Sequence, residues 1–67
     1  MSDDPEAAHR RDAIQYMMRR LNGFARGLNL DEAATRQIVE KVYADMPVHT
    51  DEERLSEARN RMTVASA

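Results

Sequence analysis

"FARGLNLDEAATRQIVEKV", Phe24 to Val42, decides the fold: it reads as the end of one helix, a bend and the start of another. Gly23 and Gly27 each weaken a helix by about 1 kcal/mol relative to alanine, and Asn29 tolerates the left-handed conformation that ends helices. The first helix is therefore expected to stop between Arg26 and Asn29. Asp31 then stands as the N-cap of a second helix, with Glu32 in its first turn. Ala34, Ile38, Val39, Val42, Tyr43 and Met46 recur at helical spacing as its inner face, and Pro47 stops it.

Working back from the bend, Ala7, Ile14, Met17, Leu21, Phe24 and Leu28 fall at intervals that reduce to threes and fours. That spacing is a heptad-like apolar stripe, interrupted at Arg10. Asp4 before Pro5 makes a helix start, since the carboxylate accepts orphan amides and proline lacks only a donor that would go unused there. Working forward, Thr50 and Glu53 have capping-box spacing, and Leu55, Ala58, Met62 and Ala65 form a third apolar series. Nothing in the tail "TVASA" holds it down, so residues 64–67, like 1–4, are expected to fray.

No segment shows strand alternation, and the two prolines and two glycines sit where helices begin and end or weaken. The fold expected is all-α, one small domain over residues 1–67: an αα-hairpin plus a third helix. Its helices should run Asp4 to Leu28, Asp31 to Met46 and Thr50 to Val64. A core of this size supplies only about 3–5 kcal/mol, and no disulfide exists to support it because the chain has no cysteine. Self-association or a partner is the expected support.

Charge narrows the choice of partner. The formal net charge is −2 with a pI near 5.6, without the overall basic footprint of a nucleic-acid binder. Its layout is uneven: "HRRDAIQYMMRRLNGFAR" holds five arginines against Asp12, while the chain after Arg26 carries eight acids among five basic residues. Pairing of the arginines with those later acids inside the molecule, plus solvation, is the expectation. An acidic start, no long apolar run and no cysteine point to a chain of the reducing cytoplasm without a secretion signal or membrane span.

The opening stretch also resembles a helix-turn-helix unit. Phe24-Ala25, Leu28, Asn29, Leu30 and Ile38 meet in order the demands for a packed first helix, a positive-φ turn and an inward-facing second helix. Thr35 stands where Val or Ile is usual. The resemblance covers residues 21–42, about a third of the chain, and would make Arg36 and Gln37 the DNA-reading residues. Against it, the would-be recognition helix opens with Asp31 and Glu32, which repel phosphates, and any αα-hairpin needs the same apolar pattern.

Other constellations are weak. "EAAH", Glu6 to His9, has the Glu-x-x-His spacing of helical metal sites, but no second copy of the motif accompanies it. His49 is a lone histidine in a turn, and no serine or glycine pattern points to a nucleophile or phosphate loop, so neither catalysis nor a cofactor nor a small-molecule substrate is expected. Arg11, Arg19, Arg20 and Arg26 flank the stripe as in a membrane-surface helix, but the acidic lead-in and the glycines oppose insertion. The reading carried forward is a non-enzymatic interaction or regulatory protein that binds another protein and itself. Ile14, Met17, Leu21, Phe24 and Leu28 would provide apolar contact, and Arg19, Arg20 and Arg26 would steer an acidic partner.

Overall fold

The computed structural model describes residues 5–67, so the Asp4 cap lies outside the described residues. Helix α1 spans Pro5–Gly27, α2 Glu32–Asp45 and α3 Asp51–Ser66, and each packs against both others. This is the three-helix all-α domain expected.

The bend forms as the local chemistry dictates. Asn29 adopts φ 63°, the one positive φ outside glycine among the described residues. Around it the Leu30 N–H donates to the Ala25 carbonyl at 2.9 Å and the Asn29 N–H to Arg26 at 3.0 Å, which is a complete Schellman ending for α1. Asp31 then caps α2, its Oδ1 accepting the Ala34 N–H at 2.8 Å. At α3 the capping box closes in both directions: Glu53 N–H donates to Thr50 Oγ1 and Thr50 N–H to Glu53 Oε1. The Thr50 amide, and after it the Thr50 hydroxyl, hold the Glu53 carboxyl below the usual glutamate range, so it is charged when it caps.

After the bend α2 runs back along α1. Three surface cavities follow the seam: one lined by residues 15–26 and 30–36, the next by 7–14 and 36–40, the last by 6–10 and 43–47. As numbers fall on α1 they rise on α2, which is the antiparallel sense of an αα-hairpin.

The core holds Ile14, Met17, Leu21 and Ala25 of α1, Val39 and Val42 of α2, and Leu55, Ala58 and Met62 of α3. Several positions differ from the apolar series read in the sequence. On α1 the buried steps are three, four and four, close to the 3.6 repeat of a straight helix, so Ala25 takes the inner place and Phe24 is turned to the flank at 37% exposure. Ala7 is exposed, as is Ala65 at the far end of α3. On α2 the buried position is Thr35 rather than Ala34; its hydroxyl donates to the Asp31 carbonyl at 2.9 Å, which satisfies the one polar atom that burial would orphan. Ile38, Met46, Leu28, Leu30 and Met18 pack against the core from its edge.

Helix α3 continues two residues past the expected end at Val64, to Ser66. Thr63 Oγ1 donates to the Arg59 carbonyl, Ser66 Oγ to Thr63, and the Ala67 N–H to Val64, so local bonds close the last turn although Val64 is exposed.

Gly23 lies inside α1, and a Cβ there would meet nothing within 4 Å. Gly23→Ala is therefore expected to raise stability by about 0.5–1 kcal/mol by restricting the unfolded chain. A thermal melt followed by circular dichroism should show a midpoint higher by roughly 2–8 °C.

Candidate interaction surface

The stripe proposed for partner contact is divided by the fold. Ile14, Met17 and Leu21 are at most 6% exposed, so in the folded chain these three belong to the core. Leu28 is half-buried at the bend. What α1 offers outward lies on two flanks of this buried line. Tyr16, Arg20 and Phe24, each four residues from the next, share one flank; Arg20 donates to the Tyr16 hydroxyl at 3.3 Å, its guanidinium 5.8 Å from the ring centre. Arg19 and Arg26, seven apart, share the other and look over the seam with α2.

On that second flank the seam opens into a groove of about 510 Å³. Its floor is Met18, Ala25 and Leu30, with the buried Thr35. Its rim carries Arg19 and Arg26 from α1 and Arg36 from α2, with the amides Gln15 and Asn22 between. The Schellman bend makes the groove, because it folds Leu30 back beside Ala25 and starts α2 against the last turns of α1. One acid, Glu32, sits in the lining and pairs with Arg36 at 3.7 Å, both well exposed. Gln37 is exposed and takes no part in this lining.

The electrostatics differ from the expected internal neutralisation. Ion pairs among the described residues join Arg36 to Glu32, Arg54 to Asp51, and Arg61 to both Asp45 and Glu57. None involves an arginine of α1. Arg10, Arg11, Arg19 and Arg26 form no ion pair among the described residues, while Glu32, Asp45, Asp51 and Glu57 are paired with arginines of α2 and α3. Sequence shows the charge of each segment but not which faces meet, and the faces that meet here are apolar.

Arg54 stands out only in three dimensions. It is 6% exposed; its Nε donates to the Met46 carbonyl and an Nη to the Pro47 carbonyl, both at 2.8 Å. The other Nη reaches Asp51 at 3.2 Å, and the guanidinium lies 4.5 Å from the centre of the Tyr43 ring. It closes the C-terminal end of α2 and ties it to α3, which is structural work. In the sequence Leu30 reads only as the apolar residue after the turn; the seven-residue spacing of Arg19 and Arg26 is the legible sign of this flank.

Glu6 and His9 lie on the exposed first turns of α1, and among the described residues no three His, Asp or Glu side chains gather as metal ligands. Among the described residues no helix is long and apolar enough to cross a membrane. Comparison with protein-family models, with curated proteins and with solved structures finds no match. The surface is accordingly read from its own geometry.

Proposed function

We propose that this chain is a small non-enzymatic interaction or regulatory protein, of adaptor or inhibitor type, that acts by offering the outer flanks of α1 to an acidic protein partner and to itself. The observation that carries this reading is the row of α1 arginines that form no ion pair among the described residues, beside a groove with an apolar floor. Unpaired guanidinium groups around apolar surface favour an acidic partner both in steering and in contact. Arg19, Arg20 and Arg26 supply the charge; Phe24, Leu28 and Met18 supply the apolar contact that the buried Ile14, Met17 and Leu21 do not. A cytoplasmic setting suits a chain without cysteine.

The rival reading, DNA recognition by Arg36 and Gln37, is less favoured by an antiparallel hairpin and by the Glu32 carboxylate beside Arg36. One experiment separates the two. The tagged chain is used to capture partners from native lysate, half of it nuclease-treated, with an Arg19→Ala/Arg20→Ala/Arg26→Ala variant in parallel. The same protein enriched from both halves, and lost with the triple variant, supports the interaction reading. Capture of nucleic acid that disappears with nuclease overturns it.

A further inference from the structure

The groove has a counterpart on the same chain. The turn between α2 and α3 holds Val48, 90% exposed, the most exposed large apolar side chain among the described residues. Acids follow it in sequence: beyond His49 and Thr50, Asp51, Glu52 and Glu53 fill the first turn of α3. Asp51 is half-exposed despite its contact with Arg54; Glu53 is held charged by its cap, and Glu52 is exposed with no ion pair among the described residues. An apolar knob flanked by carboxylates is the inverse of a groove with an apolar floor and an arginine rim.

The two features lie at opposite ends of the hairpin. The groove is bordered by the last turns of α1 and the start of α2, whereas Pro47, next to Val48, borders a cavity with Glu6 and Arg10 at the other end. The molecule is 40 Å long, so a knob cannot enter the groove of its own chain. We infer that the groove receives the Val48 turn of a second copy of this chain, with Val48 against Met18 and Leu30 and the acidic first turn of α3 against Arg19, Arg26 and Arg36. The contact is heterologous: two different patches meet, so each molecule keeps one of each to offer. Its charged part is exposed and weakens with salt, since the screening length is about 8 Å at physiological ionic strength. This inference rests on reading the groove as a protein-binding surface, and it names one occupant.

Sedimentation equilibrium of the purified full chain at low and high salt tests it, with two variants. The groove variant Arg19→Glu/Arg26→Gln and the knob variant Val48→Arg/Glu52→Gln change exposed side chains only, and circular dichroism checks that each keeps its helices. The wild type is expected to sediment above monomer mass at low salt and to dissociate as salt rises. Each variant alone should associate at least about tenfold more weakly, because like charges then face one another. Mixing the two variants should restore association, since an intact knob meets an intact groove and the reversed pair also attract. A monomeric wild type, variants that associate like the wild type, or a mixture without recovery each overturns the head-to-tail contact. No other protein is present in these runs, so such a result leaves the lysate capture to decide the wider reading separately.

Discussion

Leu21→Ala is expected to leave the chain largely unfolded at room temperature, and Leu21→Asp to unfold it completely. Leu21 has no exposed surface and stands midway along the buried line of α1, where all three helices contribute to one core. Truncating a buried leucine to alanine costs about 2–5 kcal/mol through lost transfer energy and the cavity left behind. The whole core of a chain this short supplies about 3–5 kcal/mol, so the loss is comparable to the total. An aspartate adds the desolvation of a charge with no partner in reach. Three residues on, Phe24 is 37% exposed, and Phe24→Ala should keep a cooperative melt at somewhat lower temperature. Far-UV circular dichroism with thermal melts on the three variants tests the assignment. A full helical signal and cooperative transition in Leu21→Asp would show that this side chain is not in the core. The experiment also bears on function: a Leu21 variant that loses binding reports unfolding, whereas exposed residues such as Arg19, Arg20, Arg26 and Phe24 can report an interface.

The elements were legible because their ends are local chemistry. Asn29, Asp31, Pro47 and the Thr50–Glu53 pair each act within four residues of themselves, so spacing alone announces them. What spacing does not carry is which flank of a stripe turns inward. Phe24 and Ala25 are adjacent and both apolar, and the choice between them depends on a helix repeat closer to 3.6 than to 3.5 over three turns. The hairpin and the helix-turn-helix readings need the same apolar positions, so the sequence leaves them level; the antiparallel seam separates them only once α2 is seen beside residues 6–26. Thr35 looked like a fault because its hydroxyl has no partner in a linear pattern, whereas in the helix the Asp31 carbonyl is one turn away. The groove needs Met18 and Leu30 from either side of a bend, and on its rim Arg19 and Arg26 form no ion pair among the described residues whereas Arg36 pairs with Glu32, a distinction that segment charge alone does not carry.

Arg54 was the least legible residue of all, and its replacement should have the second largest effect on stability. Arg54→Ala removes charged hydrogen bonds to two carbonyls at the end of α2, and hydrogen bonds to a charged group contribute about 1.5–3 kcal/mol. Water can reach the exposed Pro47 side of the turn and recover part of that, so the expected loss is about 2–3 kcal/mol. The planar fork matters more than the charge: it serves the Met46 and Pro47 carbonyls together while its face covers Tyr43. Arg54→Lys keeps the charge on one nitrogen, which cannot hold both carbonyls in that plane, and should recover less than half of the loss. Asp51→Asn tests the remaining contact. Asp51 is half-exposed and its ion pair is of the solvent-screened kind, so this variant should cost less than about 1 kcal/mol. Urea unfolding of the three variants should rank their midpoints Asp51→Asn highest, Arg54→Lys next and Arg54→Ala lowest. If Asp51→Asn falls as low as Arg54→Ala, the side chain acts through its ion pair, and the carbonyls at the end of α2 are satisfied without it. The predicted order instead makes Arg54 the clamp that holds the α2–α3 turn in place and so keeps Val48 presented at its tip.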